Sequence, residues 1–277
     1  MSKAEAQGKF LRKVYSRIAG NYELTNHAMT FGLDVLWRKK AARIAVEVGA
    51  CRRDDPGVAQ ESYDVQKIGS CPGSGLWLDT CTGTGEMAVN LHELATKKAP
   101  ENVSMTASGD VPGNVKVFGV DFSQEMLVEA KKKPDTSEIR FCGGDMDCLP
   151  FPDDTFSLVT MSFATRNNNP DRETLVHRFS EIHRVLKSGG LFVNVETSQP
   201  SSSLLVRLRN LFVKLYIPCT ATVFTGDKKG YTYLAESIPR FYGAEELAVV
   251  LKESGFAEVE SRKLMFGVSA VHVAHKR

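Results

Sequence analysis

Between residues 9 and 49 apolar positions recur every three or four residues (Phe10, Val14, Tyr15, Ile18), and Leu36-Trp37-Arg38-Lys39-Lys40-Ala41-Ala42 is rich in strong helix formers. The stretch therefore reads as a helical cap over 1–49. The period is lost over 50–74, where Pro56, Pro72 and several glycines lie among charges, the mark of a loop or insertion. From Leu76 onward a different order sets in. Short apolar runs at Leu76–Asp79, Val115–Asp121, Ile139–Cys142, Phe156–Ser162 and Leu191–Glu196 read as strands. They alternate with helical stretches near Glu86–Lys97, Gln124–Lys133 (with Ser123 as N-cap) and Arg172–Leu186, the last stopping at Lys187-Ser188-Gly189-Gly190.

A second polar insertion occupies 98–114, a capping region spans 201–243, and Gly243–Gly255 gives one more helix. Val259–Met265 and Ser269–His275 suit a closing antiparallel strand pair. Strands alternating with helices predict a single α/β domain over 1–277: a doubly wound, mostly parallel, Rossmann-like sheet with helices on both faces.

Composition narrows the functional classes. The 35 basic and 33 acidic residues leave a formal net charge of +2, which offers no bulk attraction to nucleic acid. The six cysteines form no C-x-x-C pair and no histidines cluster at metal-ligand spacing, so neither a disulfide framework nor a metal site is expected. No apolar run reaches the ~18 residues a membrane-spanning helix needs. The first twenty residues are basic, a trait of mitochondrial transit sequences. Their apolar spacing runs unbroken into the following segment, however, and favours a folded amphipathic helix.

The chemistry concentrates at the strand ends. Asp79-Thr80-Cys81-Thr82-Gly83-Thr84-Gly85 follows the first strand of the alternating region and opens a helix, where glycines let a ligand approach the backbone. Gly83-x-Gly85-x-x-Ala88 also fits a dinucleotide fingerprint, so the glycines alone leave the cofactor open between NAD and S-adenosylmethionine. The acids favour the latter. Asp79 is placed to serve the positively charged amino end of S-adenosylmethionine, and Asp121, ending the second strand, to bind ribose hydroxyls, a role either cofactor would use. Asp145 follows the third strand at a position suited to the adenine amino group, with Met146 packing on the ring. Any one of these acids would more simply cap a helix or face solvent; three at successive strand ends beside a glycine loop point to the cofactor.

The same residues and their surroundings resemble the UbiE-type C-methyltransferases of ubiquinone and menaquinone biosynthesis, class I methyltransferases. The resemblance runs from Tyr15-Ser16-Arg17-Ile18-Ala19-Gly20-Asn21-Tyr22-Glu23 and Met29-Thr30-Phe31-Gly32, through Leu149-Pro150-Phe151 and Arg184–Gly190. Its narrower elements are Ser162-Phe163-Ala164-Thr165-Arg166-Asn167 and Tyr231-x-Tyr233-Leu234-x-Glu236-Ser237-Ile238. Departures are Glu23 and Thr25 in the N-terminal signature, Thr82 where glycine is frequent, and the two insertions. The resemblance implies cofactor contacts at Thr84, Asp121, Asp145, Met146 and Ser162, and a prenylated quinol as methyl acceptor.

Within that frame Arg166 and Asn167 are expected to polarise the quinol oxygen, although spacing alone reads them equally as a turn before Asn168-Asn169-Pro170. Tyr22, Phe31, Tyr231 and Tyr233 would line an aromatic pocket, and His27 is the one histidine placed to matter. Leu204–Ile217 is apolar with basic interruptions. It reads first as a buried cap helix, and alternatively as the wall for a prenyl tail or an interfacial surface. The expected setting is cytoplasmic, or the mitochondrial matrix side of the inner membrane, peripheral to the bilayer, as a homodimer or a member of a quinone-biosynthesis complex. Three rivals stay open: a methyltransferase acting on a phenol, sterol or amine, a non-catalytic cofactor-binding component of such a complex, and an NAD-dependent dehydrogenase.

Overall fold

A computed structural model describes residues 3–51, 75–97, 115–224 and 237–277. The expected insertions lie almost wholly outside the described residues, as do Tyr231 and Tyr233. The N-terminal cap is three helices, α1 (Lys3–Ile18), α2 (Tyr22–Thr30) and α3 (Leu33–Cys51). Then come β1 (Gly75–Thr80), α4 (Glu86–Lys97), β2 (Val115–Asp121), α5 (Gln124–Lys131), β3 (Arg140–Gly143) and β4 (Phe156–Ser162). The chain closes with α6 (Arg172–Val185), β5 (Leu186–Thr197), α7 (Ser203–Phe224), α8 (Ala244–Glu253), β6 (Glu258–Leu264) and β7 (Ser269–His275).

The seven strands form one sheet in the order β3-β2-β1-β4-β5-β7-β6. The first five run parallel, and β7 pairs antiparallel with both β5 and β6. This is the doubly wound sheet with an antiparallel end that the alternating pattern predicts. One face packs Ala41, Ala45, Leu91 and Trp77 against the sheet, the other Phe179, Ile182, Leu247 and Phe192. Trp77, Phe156, Phe179 and Phe192 are fully buried. Truncating a core aromatic of this kind costs ~3–5 kcal/mol, which is why strands so short hold their register. A third, smaller core of Ile18, Met29, Met126, Val213 and Ile238 ties the N-terminal helices to α5 and α7.

The polar stop after the sixth helix differs from expectation. Lys187–Gly190 is not a loop but the opening of β5, whose register against β4 shifts between Phe156 and Leu158. The reason is local. Gly189 takes a positive φ of 77°, and Lys276 brackets it, its N–H donating to Gly190 O while its O accepts from Gly189 N. The helix caps are better behaved: Ser123 accepts from Met126 N at the start of α5, and Asp171 from Thr174 N at the start of α6.

Candidate active site

Strand order reverses at β1, flanked by β2 on one side and β4 on the other. Ligands of open α/β sheets bind beyond the carboxyl ends of the strands at such a point. Asp79–Gly85, Asp121 and Ser162 all emerge there. The loop is held open by backbone geometry, with Cys81, Gly83 and Gly85 at φ values of 52°, 55° and 82°. A side chain at Gly85 would meet the Phe141 ring at 3.1 Å, so glycine is required there twice over.

Asp121 organises the loop. Its two oxygens accept from Gly83 N at 2.8 Å and Ser123 N at 2.9 Å. Burial pushes its pKa upward, against the pull of those amides and that of Phe122. A carboxylate has about four lone-pair directions, so acceptor capacity remains beside these amides. Asp79 behaves differently from the sequence expectation. Its carboxyl is 1 % exposed and its oxygens accept from Thr82 Oγ1 at 2.6 Å and Thr160 Oγ1 at 2.8 Å. Burial lifts its pKa to about 7. Each oxygen thus holds one hydroxyl inside the protein, so Asp79 shapes the loop, and the departure at Thr82 supplies one of its donors. Met146 is likewise turned inward: its sulfur accepts from Thr80 Oγ1 at 2.8 Å and its side chain packs with Leu78 and Leu149. A ring lying at this position would meet the Met146 backbone, not its thioether.

Two cavities meet at these loops. The smaller, about 40 Å³, is bounded by Gly83, Asp121, Phe122, Ser162, Asn167 and the rings of Tyr15 and Tyr22. That is far below the ~300–1,000 Å³ of small-molecule sites, because α1 lies across it. Arg12 of α1 pairs with Asp145 at 2.9 Å and stacks over Phe122, and Asn167 Nδ2 donates to Tyr15 Oη. Thr84 is buried beside the loop and Asp145 sits at the rim; neither borders this cavity.

The larger cavity, about 440 Å³, is almost wholly apolar. Its walls include Leu11, Trp37, Phe163, Leu205, Phe212 and Val213, contributed by the N-terminal cap, the loop after β4, and α7. Tyr22 and Asn167 line both cavities, and Phe31 lines the larger one, its ring packed 5.1 Å from Tyr216. Arg166 and Glu196 belong to its polar lining, with Asp34, Arg38 and Arg209. Arg166 is 7 % exposed, donates from Nη1 to Ser237 Oγ at 2.6 Å, and leaves Nε without a partner. No carboxylate among the described residues pairs with it. The strand-end acid Glu196 and Ser237, which the resemblance includes, carry no role in the sequence; only the fold sets both against Arg166.

A polar cluster supports the junction. Arg38 is buried between Asp34 at 2.6 Å and Glu86 at 3.1 Å, with Phe163 under its guanidinium. His27 bridges the same acids, Nδ1 to Asp34 at 2.9 Å and Nε2 to Glu86 at 3.5 Å. Burial raises the Tyr22 pKa, with Arg38 and Arg166 pulling it back. Glu23, His27 and Glu86 bring potential metal donors within 4.8 Å of one another. Glu23 pairs with Lys133 and Glu86 with Arg38, however, so both carboxylates are already neutralised. Burial pushes the Cys81 thiol pKa upward, which keeps it protonated and unsuited to nucleophilic work.

Comparison with known proteins follows this geometry closely. Over 267 residues the chain is 30% identical to the ubiquinone/menaquinone biosynthesis C-methyltransferase UbiE of Desulfotalea psychrophila, covering 96% of this chain and 90% of that one. It is also 30% identical to a demethylmenaquinone methyltransferase of Geobacillus kaustophilus, over 96% of this chain and 97% of the relative. Among solved structures, a SAM-dependent methyltransferase of Thermotoga maritima shares the fold, with a TM-score of 0.54 at 17% identity over 96% of this chain and 99% of that one. The family model for the ubiE/COQ5 methyltransferases matches residues 1–276, and the chain belongs to that family.

Proposed function

We propose that this protein transfers a methyl group from S-adenosylmethionine to a ring carbon of a prenylated quinol in quinone biosynthesis. The observation that carries the reading is Arg166: a buried guanidinium with no carboxylate partner among the described residues, set into the wall of an apolar cavity that shares Tyr15, Tyr22, Phe163 and Asn167 with the smaller cavity at the glycine loop. A buried cation left unpaired is costly unless something anionic completes it. A quinol losing its hydroxyl proton supplies that charge, and an apolar cavity of this volume suits a ring with the start of a greasy tail.

In this scheme Asp121 takes the ribose hydroxyls, Asp145 and the Met146 backbone the adenine, and Gly83, Thr84, Gly85 and Ser162 the remaining contour. Asp79 acts on the loop through Thr82. The sulfonium methyl arrives already activated, so the chain's contribution is orientation and charge stabilisation. Arg166 and Asn167 hold the quinol oxygen. Arginine keeps its proton near neutral pH, so Arg166 stabilises a phenolate rather than accepting a proton. Tyr22 and Phe31 flank the ring and the tail entrance, with Tyr231 and Tyr233 assigned to the same pocket by resemblance alone.

The tail entrance has a surface to match. Leu204, Leu208, Leu211 and Leu215 project outward along α7, each more than half exposed, beside Arg207 and Lys214 and with no acidic residue in the helix. Such a stripe suits shallow contact with an anionic lipid surface. No helix among the described residues is long and apolar enough to cross a membrane.

The test is turnover with demethylated quinols of the benzo and naphtho series against catechols and amines, using labelled cofactor. Methylated quinol at ring carbon is the expected product. Arg166→Ala should lower turnover by roughly 10²–10³-fold with cofactor affinity preserved. Unchanged turnover would remove Arg166 from the chemistry.

A further inference from the structure

Arg166 explains where negative charge is held, but nothing assigned so far takes the proton. Asp34 reaches the large cavity yet is spent on Arg38, Thr30 and His27, and these neighbours hold its pKa below the usual carboxylate range against the opposing pull of burial. Glu86 is not part of the cavity wall and is paired with Arg38. Glu196 differs from both. It is the last residue but one of β5, is 1 % exposed, and lines the same cavity as Arg166. Among the described residues its oxygens are held by uncharged donors: Oε1 by Thr197 N at 2.7 Å and Thr197 Oγ1 at 3.0 Å, Oε2 by Arg166 N at 3.2 Å.

The backbone of Arg166 therefore binds the carboxylate, while its guanidinium turns away to Ser237 Oγ. Both residues line one cavity, and no ion pair joins the guanidinium to the carboxylate among the described residues, each being held by its own local hydrogen bonds. A pair split in this way can receive a hydroxyl between its halves, the proton on one side and the developing charge on the other.

We propose that Glu196 is the proton acceptor for the quinol hydroxyl, an assignment that rests on the methyl-transfer reading above. The O–H bond breaks toward Glu196, whose carboxylate becomes a carboxylic acid. The electron pair left on oxygen, stabilised by Arg166, enriches the adjacent ring carbon. That carbon forms its bond to the methyl as the S–CH₃ bond breaks, and the sulfur keeps the bonding pair. The ring carbon then loses its hydrogen to water as a proton when aromaticity returns, and Glu196 hands its own proton back to the oxygen. One proton is released in net, matching the positive charge lost from sulfur.

The test compares wild type, Glu196→Gln and Glu196→Asp across hydroquinones of graded acidity, from the parent ring to halogen-substituted ones. Cofactor affinity should stay within about threefold in all variants. With the parent ring Glu196→Gln should lose at least ~10²-fold in kcat, in line with general-base catalysis, and the loss should shrink below about tenfold as the hydroxyl becomes more acidic. Glu196→Asp, which keeps the charge and the hydrogen-bond acceptors, should lie between and should still serve if the amide variant does not fold. A loss of equal size at every acidity, in whichever variant folds, would overturn the assignment and leave Glu196 a support for the Arg166 loop. Failure of the wild type to methylate any quinol would instead overturn the methyl-transfer reading itself.

Discussion

The two cavities that meet at Tyr22 and Asn167 are built on opposite principles. The small one has a floor of strand ends and tight turns, where Asp121 and glycines at positive φ fix the contacts within a few residues of a strand, under Tyr15 and Tyr22 of the cap. The large one is made of side chains from the N-terminal cap, α7 and the loop after β4, elements far apart in sequence. The first is narrow, polar-rimmed and rigid by construction; the second is roomy and apolar, and its shape depends on helices packed through one small core. A fixed site beside an adaptable one is what a transferase needs when its donor is constant and its acceptor is greasy.

The sharpest way to break this comparison is to damage one cavity and read the other. Asp121→Ala removes the acceptor for Gly83 N and Ser123 N, and with it the lone pairs proposed above for the ribose. Loss of hydrogen bonds to a charged group in a buried setting is worth about 1.5–3 kcal/mol each, so cofactor affinity should fall by at least ~10²-fold. Binding of an apolar quinone analogue to the large cavity, followed by intrinsic fluorescence, should change by less than about threefold. Equal loss of both ligands would mean that the cavities are one cooperative unit.

The reverse experiment has a smaller expected effect. Val213 is 4 % exposed and lines the large cavity from α7. Val213→Trp adds bulk to a wall shared with the cap core, and overpacking typically costs about 1–3 kcal/mol. Apparent KM for a long-tailed quinol should rise roughly tenfold, with little change for a tail-less ring and none in cofactor affinity. A uniform rise for both acceptors would show that the tail does not lie along α7.

The same division explains what could be read from the sequence. Strands β2 and β4 and the glycine turn were legible because their constraints are local: a short apolar run closed by a polar residue, and a residue that tolerates positive φ. Arg166 and Asn167 are singled out only by resemblance, since their spacing equally describes a turn. Glu196 was hidden, because an acid at the end of a buried strand looks like the polar stop it also is. Its meaning appears only when Arg166, thirty positions earlier, is seen to bind it through the backbone and leave it through the side chain. Asp79 shows the converse: the motif places it at the loop, and only the fold shows Thr82 and Thr160, the latter eighty-one residues away, each donating to one of its oxygens.

Arg12 gives the smallest effect and the finest probe of how the two regions communicate. It reaches from α1 to Asp145, the acid assigned to adenine, in an ion pair whose partners are each about half exposed. Exposed pairs contribute about 0–1 kcal/mol, so Arg12→Ala should leave folding stability nearly unchanged. If Arg12 competes with the cofactor for Asp145, its removal should tighten cofactor binding by roughly two- to fivefold, the same energy returned as affinity. Raising salt should move wild type toward the variant and leave the variant flat, because screening weakens the pair in the same way that deletion does. Weaker cofactor binding in Arg12→Ala would reverse the picture: α1 would then be a clamp that holds the donor, and the narrowness of the small cavity would be part of the grip rather than an obstacle to entry.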